Sequence, residues 1–187
     1  MTAEMSEKRS RLVQTAAKLV YERGFRKTRL ADIAAEAGVP SGNVYYYFKT
    51  KDEIGVAVME QRLAELHTVL EICDRADAPK DRLQAFIQMT FDNREQVSLG
   101  GCPIGALCAE MQKEGSALAE QARPPFVALL SWMEAQFREL DKGEASQGLA
   151  LHLVSALQGI SLLANTFRDP KLITLEADYL QAWIRTL

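Results

Sequence analysis

Apolar residues recur every three to four positions along nearly the whole of this 187-residue chain, and this spacing restricts the chain to helical folds. The first helical pattern follows Ser6, a candidate cap, and carries Leu12, Ala16 and Leu19 on one face. We find no alternation of apolar and polar residues typical of a strand, and no Asn-Gly or Asp-Gly pair typical of a hairpin. The sequence therefore predicts an all-α fold.

Glycine, proline and hydroxyl residues divide the pattern into about nine helices. The second helix is expected to begin at a Thr28 cap, and the fourth at a Thr50 cap. The five later helices are expected at residues 80–97, 103–115, 116–140 with an interruption at Pro124 and Pro125, 143–168, and 170–186.

The net charge of −3 is unevenly distributed along the chain. Residues 1–51 contain ten Lys and Arg against five Asp and Glu, a balance of +5, whereas residues 52–187 contain twelve against twenty, a balance of −8. A basic segment on an acidic body favours a polyanionic partner for the basic segment alone. Chance clustering of surface charge is the alternative. We expect two domains, residues 1–51 and residues 52–187.

The remaining composition favours a cytoplasmic protein. The N-terminus has no apolar region typical of a secretory signal, and no uninterrupted apolar run reaches the ~18 residues of a membrane span. Three cysteines, Cys73, Cys102 and Cys108, form neither an even disulfide framework nor a CxxC metal pattern. We therefore expect no membrane partner, no metal site and no cofactor.

Three short helices within some 45 residues near the N-terminus form the pattern of a helix-turn-helix, with Gly38 between the second and third. In that motif the third helix enters the major groove of DNA, which makes residues 40–48 the candidate recognition helix. Successive helical residues point about 100° apart, so at least one of the three consecutive tyrosines must be exposed. A solvent-facing turn with partly buried tyrosines is the alternative.

The stretch from Gly24 to Ile54 resembles the DNA-binding domain of the TetR (tetracycline repressor) family. The resemblance depends on an Ile-Ala…Ala-Gly-Val unit at residues 33–39, a Tyr-x-x-Phe helix at residues 45–48 and a Lys-x-Lys-Asp-Glu exit at residues 49–53. It covers about residues 8–57, roughly a quarter of the chain.

The resemblance implies a DNA-contacting role for each of eight positions, and Arg29 is a further candidate at which the sequence departs from the family. Thr28 matches a hydroxyl that binds phosphate at a helix start, and Lys51 matches a phosphate contact at the start of the fourth helix. Base-edge positions correspond to Ser41, Gly42, Asn43 and Tyr46, and further phosphate positions to Tyr45 and Tyr47. Tyr47 replaces a frequent His of the family, and Arg29 a frequent Ser or Thr. The Arg29 guanidinium could bind phosphate or a base, or remain solvated.

For the rest of the chain, the resemblance implies a helical domain that binds a small-molecule effector and dimerises through the last two long helices. The sequence is compatible, because helix eight is apolar over more than one face and contains Gly148 and Gly159. Burial within the monomer is the alternative. Candidate pocket residues, any of which could equally be plain core, are Phe86, Met89, Thr90, Asn93, Cys108, Met111, Phe126, Trp132, Met133, Phe137, His152 and Gln158.

These patterns together predict a DNA-binding transcriptional regulator, a repressor that a small molecule releases from a palindromic operator. One alternative is a regulator that senses electrophiles or oxidants through Cys102, which precedes Pro103 at a helix start. Another is a helical adaptor without DNA binding. We expect no enzymatic activity, since the sequence contains no P-loop, no GxGxxG after a strand and no GxSxG elbow.

Overall fold

A computed structural model of the chain describes residues 3–114 and 117–187, and every regular element within them is helical. The helices are α1 (Ala3–Arg23), α2 (Leu30–Glu36), α3 (Ser41–Tyr47), α4 (Lys51–Cys73), α5 (Pro79–Asp92), α6 (Arg94–Gly100), α7 (Pro103–Glu114), α8 (Ala117–Gln121), α9 (Pro124–Glu139), α10 (Ser146–Phe167) and α11 (Lys171–Thr186), with a 3-10 turn at Gly143–Ala145 before α10. The all-α fold class is confirmed.

Two of the predicted helices are each divided in the structure. The chain leaves helical geometry at Asn93, so the helix expected at residues 80–97 becomes α5 and α6. The interruption expected at the two prolines separates α8 from α9. The predicted helix boundary at Gly115 and Ser116 lies outside the described residues.

The predicted caps of α2 and α4 have different outcomes. Thr50 caps α4 as expected, because its hydroxyl oxygen accepts a hydrogen bond from the Glu53 amide at 3.1 Å. Thr28 as the cap of α2 is wrong. Arg29 occupies the cap position, and the Thr28 hydroxyl instead donates to the Gly24 carbonyl at 2.9 Å.

The chain divides into two compact units, and neither is continuous in sequence. The first contains Met1–Leu63 and Ala106–Arg123, and the second contains Ala64–Gly105 and Pro124–Leu187. These limits differ from the predicted domains 1–51 and 52–187, because the first unit includes twelve more residues of α4 and a segment from the middle of the chain. The functions assigned to the two predicted domains stay predictions.

The first unit has its own apolar core, which α1 to α4 share with the 106–123 segment. Its buried residues include Leu12, Leu19, Ile33, Val44, Phe48, Ile54, Met111 and Leu118. Gly55 of α4 marks the tightest packing. A Cβ atom built there would lie 2.8 Å from the Phe25 ring and 3.2 Å from Leu118. The segment at Leu118 is therefore in direct contact with the core of the helix-turn-helix.

The second unit is a bundle of α5, α6, α9, α10 and α11 with the C-terminal part of α4. Its main core contains Leu70, Ile87, Met133, Phe137, Leu153, Leu157, Leu180 and Ile184. By length and composition alone, residues 143–167 would also suit a membrane-crossing helix. In the structure α10 supplies Leu153, Val154 and Leu157 to this core, as a helix of a globular domain does.

Candidate nucleic-acid interface

Helix α3 buries one side and exposes the other. Val44 is completely buried and Phe48, at the C-cap, is almost so. Tyr45 and Tyr46 are 52% and 63% exposed, and the prediction that at least one phenol reaches solvent is confirmed. Tyr47 is half-buried, with its ring edge-on to Tyr46 at a centroid distance of 5.2 Å. The two exposed rings extend the outer face of the helix toward its C-terminal end.

The N-terminal turn of α3 carries small groups on the same exposed side. Ser41, Gly42 and Asn43 are all exposed. A Cβ atom at Gly42 would meet nothing within 4 Å, so the fold itself does not require glycine there. The missing side chain leaves room for another molecule to approach the backbone closely.

Exposed cationic side chains lie in the loop before α2 and directly after the C-cap of α3. Arg26, Lys27, Arg29 and Lys49 are exposed. The Lys49 Nζ donates to the Tyr45 carbonyl at 2.7 Å, which ties this cation to the end of α3. An exposed helix face of hydroxyl, amide and phenol groups beside several cations can bind a polyanion and contact base edges.

Lys51 and Thr28 are held more closely by the protein than the family resemblance implies. The Lys51 ammonium donates to the Arg26 carbonyl at 2.9 Å and lies 4.6 Å from the Phe25 ring centroid. Thr28 is only 2% exposed, and its hydroxyl donates to the Gly24 carbonyl. Each side chain thus supports the loop between α1 and α2, and their contacts to DNA stay predictions.

An exposed ion pair connects α1 and α2. Lys18 on α1 and Glu36 on α2 are joined by a 2.9 Å contact between Nζ and Oε1. The hydrogen bond and the charge of the partner raise the pKa of Lys18 and lower the pKa of Glu36. Exposed pairs of this kind contribute little to stability, so this pair provides convenient control positions.

The predicted pocket residues do not lie in a single compact unit. Cys108 and Met111 are buried in the first unit, where the Cys108 thiol donates to the Ala122 carbonyl at 3.1 Å. The others belong to the second unit. Of these, Met133 and Phe137 are core residues, whereas Asn93 and His152 are exposed.

A half-buried aromatic group in the second unit is the part of the predicted pocket that the structure brings together. Phe86 and Trp132 lie with ring centroids 5.9 Å apart, and the Trp132 indole N–H donates to Asp74 at 2.8 Å. Phe126 is half-buried against the same core. His152 instead lies edge-on to Trp183, at a centroid distance of 5.1 Å.

The three cysteines have different surroundings. Cys73 is buried, and burial together with the neighbouring Asp74 charge raises the pKa of its thiol to about 11. Cys102 is half-buried, and its sulfur accepts hydrogen bonds from the Gly105 amide and the Gln158 side-chain amide, both at 3.4 Å. Pro103 begins α7 directly after it, as expected.

Sequence reasoning did not identify Glu110, which contacts the loop between α1 and α2. Its carboxylate accepts a hydrogen bond from the Arg26 amide at 3.1 Å, across 84 residues of sequence. No local pattern connects two positions so far apart, and only the packing of α7 against the helix-turn-helix places them together.

Comparison with known proteins agrees with this geometry. Residues 12–58 match the model of the family described as bacterial regulatory proteins, tetR family. The uncharacterized HTH-type transcriptional regulator YxaF of Bacillus subtilis is 26% identical over 190 residues, covering 96% of both chains. The HTH-type transcriptional repressor NemR of Escherichia coli is 32% identical over 117 residues, covering 62% of this chain and 57% of NemR. A crystal structure of a TetR transcriptional regulator from Chloroflexus aurantiacus has a TM-score of 0.88 at 20% identity, covering 98% and 97% of the two chains.

Proposed function

Because the chain belongs to the TetR family of transcriptional regulators, we propose that it represses transcription by binding an operator through the exposed face of α3, and that a small molecule releases it. The observation that carries the proposal is the division of α3 into a buried and an exposed side. The exposed side holds Ser41, Gly42, Asn43, Tyr45 and Tyr46, positions to which the family resemblance assigns DNA contacts. Binding to chromosomal DNA places the protein in the cytoplasm.

Each exposed group has a role that suits its chemistry. The Asn43 amide and the Ser41 hydroxyl can form hydrogen bonds with base edges in the major groove, with Tyr46 beside them. Tyr45, Tyr47 and Lys51 can donate to phosphates, which fixes the register of the helix on the duplex. Arg29, at the N-cap of α2, can add a further phosphate contact, whereas Thr28 could do so only if its hydroxyl left the Gly24 carbonyl.

A second copy of the chain is the proposed partner for α10 and α11. Leu151, Leu162, Leu163 and Phe167 are exposed on α10, and Leu175 and Tyr179 are exposed on α11. A Cβ atom at Gly148 or Gly159 would meet nothing within 4 Å, so both glycines leave room for the close approach of another helix. A twofold dimer would present two recognition helices about 34–36 Å apart, as a palindromic operator requires.

The first experiment is a salt-titrated binding assay with the DNA upstream of the chain's own gene. We expect tight binding by a dimer that weakens as salt rises, since phosphate contacts release counterions. Asn43→Ala should weaken operator binding by about 1 to 3 kcal/mol and reduce the preference for operator over random DNA. Lys18→Ala, which removes an exposed cation of α1, is the control and should bind like the wild type. Absence of binding to any DNA would overturn the proposal.

The effector is expected to act on the second unit, where Phe86 and Trp132 form a half-buried aromatic pair and Phe126 packs against the same core. A ligand shifts the protein between two states only by its differential affinity for them. Operator affinity should therefore fall in the presence of the effector, and Trp132→Ala should reduce that response without changing affinity in its absence. A response to effector that is equal in Trp132→Ala and wild type would exclude this location.

A second candidate function, sensing of electrophiles through Cys102, is favoured by one observation. Cys102 alone among the three cysteines is not fully buried, and two N–H groups point at its sulfur. Treatment with N-ethylmaleimide should modify Cys102 first and release the operator, and Cys102→Ser should bind DNA but not respond. Release of the Cys102→Ser variant by the same reagent would exclude this function.

A further inference from the structure

The side chains of Glu110, Lys51 and Thr28 form hydrogen bonds with the backbone of the loop between α1 and α2, which comprises residues 24–29. The Arg26 amide donates to the Glu110 carboxylate at 3.1 Å, and the Lys51 ammonium donates to the Arg26 carbonyl at 2.9 Å. The Thr28 hydroxyl donates to the Gly24 carbonyl at 2.9 Å. All of these residues belong to the first compact unit, although Glu110 lies on α7. The loop is thus anchored from α4, from α7 and from within itself.

The Glu110 carboxylate also packs against the loop backbone. Gly24 has φ of 87°, which favours glycine, and a Cβ atom there would lie 3.1 Å from Glu110 Oε1. The absence of a side chain at Gly24 therefore allows the carboxylate to reach the Arg26 amide. Glycine at position 24 thus leaves space for the carboxylate that binds the Arg26 amide.

The two charged side chains that bind the backbone of Arg26 each match the polarity of the group they contact. An anion accepts from the N–H on one side, and a cation donates to the carbonyl on the other. Hydrogen bonds with a charged partner are stronger than neutral ones. Loss of either charged group should loosen the peptide that the other one holds.

This loop leads directly into the DNA-facing part of the motif. It carries the exposed cations Arg26, Lys27 and Arg29, and it provides the cap of α2. It also holds the ammonium of Lys51, the first residue of α4. The position of these four cations relative to α3 therefore depends on how firmly the loop is fixed.

We propose that Glu110 is a positioning residue for DNA binding, which fixes the α1–α2 loop and so aligns its cations and Lys51 with the phosphates of the operator. The proposal rests on the proposed function of the α3 face. Glu110 itself would not contact DNA, and as an anion it would repel phosphate. Its removal should therefore strengthen binding if only net charge mattered, whereas the positioning role predicts weaker binding.

The experiment compares Glu110→Ala, Glu110→Gln and Glu36→Ala with the wild type. Glu110→Gln keeps an oxygen that can accept from the Arg26 amide, and Glu36→Ala removes an exposed carboxylate of the same unit as a matched control. Operator affinity is measured at several salt concentrations by fluorescence anisotropy, and thermal unfolding is recorded for each variant. A fourth variant, Glu110→Asp, keeps the charge but shortens its reach.

We expect Glu110→Ala to bind the operator about tenfold more weakly, because the displaced loop cations would lose part of their phosphate contacts. The plot of the logarithm of the binding constant against the logarithm of the salt concentration has a negative slope. The magnitude of this slope should decrease by about one for each cation that no longer contacts a phosphate. Glu110→Gln should recover most of the affinity, and Glu36→Ala should bind at least as tightly as the wild type.

Two results would overturn the inference while leaving the proposed function intact. One is wild-type affinity and salt slope in Glu110→Ala. The other is weaker binding with an unchanged slope and no recovery in Glu110→Gln, which would indicate general destabilisation. If Glu110→Ala does not fold, Glu110→Asp decides by the same two readouts. A wild-type protein that binds no DNA would instead contradict the proposed function itself.

Discussion

Gly42 and Gly55 lie thirteen residues apart in the first unit, and their surroundings differ completely. A Cβ atom at Gly42 would be in open space, whereas one at Gly55 would lie 2.8 Å from the Phe25 ring. Glycine at position 55 is required by the core. Glycine at position 42 has no such cause within the protein, which is consistent with a requirement imposed by bound DNA.

Alanine at these two positions should therefore have opposite effects. Gly42→Ala is expected to raise stability by up to about 1 kcal/mol through helix propensity, and to weaken operator binding. Gly55→Ala should lower stability by roughly 1 to 3 kcal/mol through overpacking against Phe25. Urea unfolding and operator titration of both variants check this. Equal operator affinity for Gly42→Ala and wild type would mean that the backbone does not approach DNA at this point.

Cys73 provides a prediction about alkaline pH. Burial raises the pKa of its thiol from 9.0 to about 11, so the folded protein resists ionisation that the unfolded chain permits. The contribution of the neutral thiol to the free energy of unfolding is fully present below pH 9. This contribution is lost as the pH rises toward 11. The loss should amount to at most about 1.4 kcal/mol per pH unit.

The measurement is the free energy of unfolding from pH 8 to pH 10.5 for the wild type and for Cys73→Ala. Lysines and tyrosines titrate in both proteins, so the difference between the two pH slopes isolates the thiol. The wild type should lose stability more steeply than Cys73→Ala above pH 9. Parallel curves would mean that the thiol is more hydrated than its burial indicates.

At the scale of helices, α10 carries an exposed apolar stripe that a second copy is proposed to cover. This stripe consists of Leu151, Leu162, Leu163 and Phe167, and Leu162 is 65% exposed. Val127 on α9, which is not part of the stripe, is 60% exposed. Leu162→Glu would place two buried, like charges in a twofold interface, whereas Val127→Glu would add a solvated charge. We expect the first variant to be monomeric and the second dimeric by light scattering. Dimers in both cases would place the interface elsewhere.

The sequence predicted individual elements well because their signals are local. Glycine breaks, the Thr50 cap and the alternation of buried and exposed residues on α3 all depend on neighbours within a few positions. The Thr28 cap was wrong because a threonine hydroxyl before a helix has two nearby choices, and here it bonds backward to Gly24. Local spacing cannot decide between them.

Arrangements between distant helices could not be predicted in the same way. Apolar periodicity identifies Cys108 and Met111 as buried, but it does not tell which helices surround them, and they belong to a different unit from Phe86 and Trp132. The contact of Glu110 with the Arg26 amide has the same origin. Helical spacing identifies the buried face of each element but not its neighbours.

At the scale of the whole molecule, the charge division between residues 51 and 52 coincides with the start of α4 but not with the limit of the first compact unit. That unit continues to Leu63 and also includes residues 106–123, with Leu118 against Gly55 and Glu110 against the α1–α2 loop. The basic segment alone is therefore an incomplete folding unit.

This discontinuity limits how such a regulator can be re-engineered by fusion. A cassette of residues 1–63 transplanted onto a foreign effector domain would bring the operator-reading helix but leave behind the later segment that completes its core. The recipient would have to supply an equivalent of Leu118 and Glu110, and most recipients would not. Exchange of the exposed α3 residues alone keeps every one of these internal contacts. New operator specificity in this scaffold is thus more readily obtained by grafting side chains than by swapping domains.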